Sequence, residues 1–363
     1  MGLLTSYLRK LDWNLIISVV LIVCFGLLAI YSTCVAREDF SNLTKQIIFF
    51  AVGFFLMILI SFLDYRIFRN NSYLILSFYF ICLVLLAGLH FFAPDIRGTR
   101  GWYKIGGLSL DPIEPTKIIL LILLAKYFSM RHVEMYKFRH IIFSGLYVFL
   151  PALLIFIKPD LGGVMVLVLM WAGILSVSGI KLKHFLILFL IFILASGLAW
   201  QFLLKDYQRD RVLSFVFPYD PLGGSWSQNQ TKIAIGSGMI FGQGLGNGSQ
   251  VQYGFLPEPH TDFIFSVIAE EWGIIGVIIL FLLYLNVVWR ILKISIESQS
   301  NFARLFCVGF VLMLIIQFTV NIGMNIGVFP VVGIYLPFIS YGGSGLIANF
   351  ISLGIVQSIK SRR

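Results

Sequence analysis

The stretch Phe255-Leu-Pro-Glu-Pro-His-Thr-Asp-Phe-Ile-Phe-Ser-Val-Ile-Ala-Glu-Glu-Trp-Gly273 decides how the rest of the chain is read. Its first half is polar and holds two prolines, so it is neither helix interior nor lipid-exposed backbone. Its second half is apolar and is expected to run as a helix past Gly276 to about Trp289. That places Asp262 in the first turn of a membrane helix, where polar loop meets hydrocarbon. A carboxylate at that depth is costly and marks a functional position. The helix N-terminus favours its charged form and burial opposes it, and sequence alone does not rank the two. Ser266, Ala269 and Gly273 follow on the same helical face, a line of small residues that lets another helix approach closely. Asp262 is therefore expected to face a protein cavity.

The surrounding chain fits a membrane protein. Of 363 residues, 59% are hydrophobic and 12% are charged, which soluble domains do not show. Cys24, Cys34, Cys82 and Cys307 are scattered without metal-ligand or disulfide spacing. The net charge of +10 does not indicate nucleic-acid binding, because the basic residues punctuate apolar runs. Apolar runs of spanning length fall at about 14–35, 43–63, 73–92, 116–130, 140–157, 163–180, 184–204, 262–289, 304–328 and 333–358. The expected fold is all-α and polytopic, with about ten transmembrane helices in a single domain over 1–363. A large extracytoplasmic loop, 205–261, separates the seventh and eighth.

Orientation follows from the basic residues. Arg9, Lys10, Arg66, Arg69, Lys126, Arg131, Lys137, Arg139, Lys181, Lys183, Arg290, Lys293, Arg304, Lys360, Arg362 and Arg363 all fall on one side if both termini are cytoplasmic. The outer side takes most acidic residues and some cations that this rule would exclude, among them Arg97, Arg100, Lys104, Lys117, Lys158, Arg209, Arg211 and Lys232. Two long outer loops, about 93–115 and 205–261, are expected to carry the function.

The polar constellations lie on this outer face. Glu114 and Lys117, three apart at the start of the fourth span, can pair; the pair either orients the loop or sets Lys117 beside a substrate phosphate. Asp160 in Lys158-Pro-Asp-Leu-Gly-Gly163 is either the N-cap of the sixth helix or a second carboxylate lining the cavity. In the second loop, which also carries Asp220-Pro-Leu-Gly-Gly224, Arg211 either binds a phosphate through its two-pronged guanidinium or makes a solvated or lipid-headgroup contact. Residues 230–238, with Gln230 and Lys232, are expected to form a short helix along the membrane surface. The glycines of Gly242-Gln-Gly-Leu-Gly-Asn-Gly248 let backbone N–H groups face an anion, a weak signal by itself. Gln317, Asn321 and Asn325 form a polar stripe, read first as interhelical hydrogen bonding. Breaks at Pro330 and Pro337, followed by Ser340-Tyr-Gly-Gly-Ser-Gly345, must line a polar cavity or be buried in protein.

Together these stretches resemble the SEDS family (shape, elongation, division and sporulation), the polytopic proteins that include RodA, FtsW and SpoVE. The specific matches are Phe255-Leu-Pro-Glu258, His260-Thr-Asp-Phe-Ile-Phe265, Asn321-Ile-Gly-Met-Asn325 and Leu336-Pro-Phe-Ile-Ser-Tyr-Gly-Gly-Ser344. Lys158-Pro-Asp-Leu-Gly162 and Arg209-Asp-Arg211 look more like the RodA branch. The resemblance implies a peptidoglycan glycosyltransferase that polymerises lipid II at the outer face of the bacterial cytoplasmic membrane during cell-wall elongation. It implies Asp262 as the essential catalytic residue, a class B penicillin-binding transpeptidase as partner, and association with the cell-shape machinery. Substrate contacts are expected from Glu114, Lys117, Asp160, Arg211, Gln230, Lys232 and Ser340. A divalent cation such as Mg or Mn is chemically compatible with a pyrophosphate leaving group, and the sequence does not decide whether one is used. The competing readings are a lipid II flippase, which should carry polar residues at mid-membrane, and a scaffold that only recruits the transpeptidase.

Overall fold

In hydrocarbon a single segment satisfies its own backbone only as a helix, so each apolar run folds as one. The structure, a computed structural model, describes residues 9–94, 101–105, 108–131, 138–202, 204–217 and 225–362. Asp95, Arg97, Arg100, Lys137, Arg363 and the stretch Asp220-Pro-Leu-Gly-Gly224 lie outside the described residues. In chain order the helices are α1 Trp13–Arg37, α2 Ser41–Phe62, α3 Arg66–Asn70, α4 Ser72–Phe92, α5 Ile113–Arg131, α6 Phe138–Ile157 and α7 Leu161–Val177. They continue as α8 Leu182–Phe202, α9 Asp206–Val216, α10 Trp226–Ser237, α11 Ser249–Gln252, α12 Ile264–Ile296, α13 Asn301–Ile326 and α14 Gly343–Ser361. A small antiparallel hairpin, β1 Tyr103–Ile105 and β2 Leu108–Leu110, precedes α5.

The chain is a polytopic helical membrane protein. Seven described helices, α1, α2, α4, α6, α8, α12 and α13, are long and apolar enough to cross a membrane, and α7 is a shorter apolar helix. With α5 and α14 they match the expected runs one for one. α5 is the most polar of them for a physical reason: from Ile113 to Phe128 nearly every side chain is buried in protein, so it needs no lipid-facing surface. α14 is likewise buried along most of its length and packs lengthwise on α2. It starts at Gly343, ten residues later than expected, because residues 327–342 form irregular backbone. α8 is the opposite case, apolar all round with no buried residue among those described.

At the end of the bundle opposite Asp262, the Asp12 carboxylate caps α1 through Leu15 N–H at 3.0 Å. It also takes Arg290 Nη2 at 2.6 Å, while Asp12 N–H donates to Gln357 Oε1 at 2.8 Å. Buried charge is kept here by pairing, which joins α1, α12 and α14.

α12 breaks at Gly273, whose φ of 63° and ψ of −162° are not helical. The glycine-rich segment closes the break with its own backbone. Gln243 and Gly244 N–H donate to the Glu270 and Glu271 carbonyls at 2.9 and 3.0 Å, and Ile274 and Ile275 N–H donate to Met239 and Ile240 at 2.9 and 3.2 Å. N–H groups in and just after this segment do meet acidic side chains, and these are the protein's own. Gly246 N–H reaches the Glu271 carboxylate at 3.2 Å and Gln250 N–H the Glu270 carboxylate at 2.8 Å. The line of small residues is used in two ways. Ser266 donates to Asn325 Oδ1 of α13 at 2.6 Å, whereas Ala269 and Gly273 meet the backbone of Gly238 and Gly242.

Candidate active site

Three successive carbonyls hold the turn that presents Asp262. Tyr341 N–H donates to His260 O at 2.8 Å, and Ser340 Oγ donates to Thr261 O at 2.6 Å. The side-chain amides of Asn321 and Asn325 both donate to Asp262 O at 3.0 Å. These partners come from α13 and from the irregular segment before α14, so tertiary contacts rather than helix geometry fix the position. Asp262 accordingly sits in a turn two residues ahead of α12, not in its first turn as the sequence suggested.

The Asp262 side chain lines a cavity of about 360 Å3. The other walls carry Glu114, Lys117, Asp160, Asp111, Lys45, Gln317, Tyr335 and Tyr341. Burial pushes the Asp262 carboxyl up to about 6; Glu258 adds to the rise, the Arg211 guanidinium opposes it and Asp160 adds a little more. Burial likewise lifts Asp111 to about 6 against the pull of Lys158, whose Nζ lies 3.6 Å away.

Each cavity-lining carboxylate other than Asp262 has a direct partner. Glu114 Oε1 holds Lys117 Nζ at 2.7 Å, with both residues buried at 7% and 3% exposure. Tyr335 donates its hydroxyl to Glu114 Oε2 at 2.6 Å. Asp160 caps α7 by accepting from Gly163 N–H at 2.8 Å, and it lines the cavity as well, so the two roles weighed for it coexist. Lys45, half-buried on α2, lines the cavity with no ion pair among the described residues.

The remaining expected contacts lie elsewhere. Arg211 is exposed on α9, where Nη1 donates to Val331 O at 3.4 Å and its charge reaches Asp262. Gln230 and Lys232 lie on α10, which packs against α12 and α13 and is anchored by Thr231 Oγ1 to Asn325 O at 2.9 Å. Neither lines the cavity. Ser340 is buried, with its hydroxyl engaged by Thr261 O and Leu336 N–H, and is also not among the lining residues. The polar stripe of α13 divides: Asn321 and Asn325 hold the Asp262 backbone, while Gln317 faces the cavity with both polar atoms unpaired among the described residues.

Sequence reading passed over Lys45, Tyr335 and Tyr341. Lys45 carried a usable signal, a cation at the end of a span where charge bias argues against one. Beside the cavity an apolar groove of about 570 Å3 runs between α4, α5 and α14, lined by Val84, Leu85, Phe92, Ile118 and Ile351. It shares Asp111 and Ser344 with the polar cavity. Among the described residues no group of three or more His, Cys, Asp or Glu is placed to hold a metal ion.

A carboxyl raised by burial to about 6, a buried lysine and an adjoining apolar groove together suit a reaction on an amphiphilic anion. The chain resembles known proteins. A family model described as FTSW_RODA_SPOVE, cell cycle protein, matches residues 12–363. The peptidoglycan glycosyltransferase MrdB of Escherichia coli strain K12 is 34% identical over 97% of this chain and 94% of its own length. Stage V sporulation protein E of Bacillus subtilis strain 168 is 34% identical over 96% of each chain. In structure, a chain from a peptidoglycan synthase complex that coordinates polymerization and crosslinking superposes with a TM-score of 0.82 at 32% identity, covering 96% of this chain and 97% of that one. The rod shape determining protein RodA of Thermus thermophilus gives 0.70 at 30% identity, covering 96% of each.

Proposed function

Since this chain belongs to the FtsW/RodA/SpoVE family and is a peptidoglycan glycosyltransferase, we propose that it polymerises lipid II with Asp262 as general base. The observation that carries this is the placement of Asp262. Its backbone is fixed by Asn321 and Asn325, and its carboxylate opens on a cavity shared with the Glu114–Lys117 pair.

The acceptor's sugar hydroxyl gives its proton to the Asp262 carboxylate as its oxygen attacks the donor's anomeric carbon. The bond from that carbon to the pyrophosphate breaks, and undecaprenyl pyrophosphate leaves with the electron pair and with inversion at the carbon. The leaving group needs no proton, so one carboxylate suffices, unlike the pair used in glycoside hydrolysis. Lys117 and Lys45 supply positive charge where the pyrophosphate develops its own. The polyprenyl tail lies in the apolar groove beside Asp111 and Ser344, which lets the donor enter from the membrane.

The active face is outside the cytoplasmic membrane, both termini are inside, and residues 1–363 act as one membrane unit. The partner is a class B penicillin-binding transpeptidase acting in elongation; a structural relative's place in a peptidoglycan synthase complex supports this. Purified protein given fluorescent lipid II, with and without its transpeptidase, tests the reading. Glycan ladders on a gel are expected. Relocation of the lipid across vesicles without polymer would instead identify a flippase.

A further inference from the structure

We propose that Tyr335 is the positioning residue for Lys117, holding its ammonium toward the cavity through the Glu114 carboxylate. This rests on the reading above that Lys117 serves the pyrophosphate. Tyr335 reaches the pair twice. Its hydroxyl donates to Glu114 Oε2 at 2.6 Å, and its ring centre lies 5.0 Å from Lys117 Nζ. Glu114 Oε1 holds the same ammonium at 2.7 Å. The three groups close a triangle in which each restrains the other two.

The geometry has a consequence for the lysine. A carboxylate with both oxygens free can rotate, and a flexible lysine follows it. Occupying Oε2 with the phenol fixes the carboxylate plane and leaves Oε1 alone for Lys117. The ring then sits close enough to the cation for an attraction that keeps the ammonium on that side. The phenol's proton goes to Glu114, and the fully buried Gln317 and Asn349 carboxamides lie beside the phenol oxygen. A positioned cation acts on charge that grows in the transition state, so loosening it should lower turnover more than substrate affinity.

The test is Tyr335→Phe, which keeps the ring and removes the hydroxyl, measured with purified protein and lipid II. A fall in kcat of about tenfold with KM within about twofold is expected, on the scale of losing one oriented hydrogen bond to a charged group. In a Lys117→Arg background the same change should cost less than about twofold, because the guanidinium cannot occupy the ammonium's place. Equal losses in both backgrounds, a rise in KM alone, or full activity in Tyr335→Phe would overturn the proposal. Tyr335→Met is read by the same criteria if the Phe variant does not yield protein. Lys117→Ala separates the two levels. If it polymerises normally, the role of Lys117 itself is wrong; if it fails while Tyr335→Phe is unaffected, only the positioning claim is.

Discussion

The side-chain amide of Asn325 donates to the backbone carbonyl of Asp262 at 3.0 Å, so a residue of α13 sets the height of the carboxylate in the cavity. Asn321 makes the same bond from one turn earlier and also holds Ile334 O at 2.7 Å. Two amides on one carbonyl give redundancy. Asn325→Ala should cost about 1–2 kcal/mol of stability, the scale of an unsatisfied buried group, and lower polymerisation several-fold. Asn321→Ala with Asn325→Ala should abolish turnover. Lipid II polymerisation and the thermal midpoint in detergent measure the two effects. Full activity in the double variant would remove these residues from the account.

The pH dependence has a definite sign. Asp262 must be ionised to accept a proton, and its carboxyl is raised to about 6. Activity should therefore fall as pH drops through about 6, with roughly a tenth of the groups ionised one unit below. Glu258→Gln removes a neighbouring negative charge and should move this limb to lower pH. Arg211→Ala removes the opposing cation and should move it higher. kcat/KM against pH for the three proteins measures this, and limbs that coincide would show that another group controls the rate.

The break in α12 makes a stability prediction. Gly242 has φ +81°, and a Cβ there would lie 2.1 Å from Glu271 O; Gly273 has φ +63°, with a Cβ 2.4 Å from Gly242 N. Alanine at either should destabilise by well over about 1 kcal/mol, because conformation and contact are both refused. Gly236→Ala, on α10 with open space around it, should be neutral or slightly stabilising. Thermal midpoints in detergent decide between these outcomes.

What the sequence made legible was local. Apolar periods marked the long helices, a three-residue spacing announced the Glu114–Lys117 pair, and an Asp before Leu-Gly-Gly announced a cap. Asp262 was legible as a carboxylate facing a cavity, but its exact setting was not. The turn is held by bonds to residues far along the chain, and no local propensity specifies those. The partners of the glycine-rich segment were hidden for a related reason. They are the carboxyl groups of Glu270 and Glu271, twenty or more residues away. Tyr335 meets Glu114 across 221 positions, a contact that only packing reveals.

Orientation is tested by two exposed positions at opposite ends of the bundle, in a background lacking the native cysteines. Tyr253→Cys lies just after α11 in the expected outer loop 205–261, and Gln299→Cys lies between α12 and α13 at the other end. An impermeant thiol reagent on intact spheroplasts should label the first and reach the second only after permeabilisation. The reverse pattern would put the cavity on the wrong face for extracytoplasmic polymerisation.

The most direct measurement is polymerisation of lipid II by purified Asp262→Asn. The substitution keeps size and leaves the backbone carbonyl that Asn321 and Asn325 hold, so yield, elution and thermal midpoint should match the parent protein. It removes the proton acceptor, and the rate should fall by about a hundredfold or more, the scale of losing a general base. Asp262→Glu, which displaces the carboxylate by one methylene, should fare little better. A well-folded Asp262→Asn protein that makes glycan at near the parent rate would contradict the account, and the base would then have to be Asp160 or Glu114.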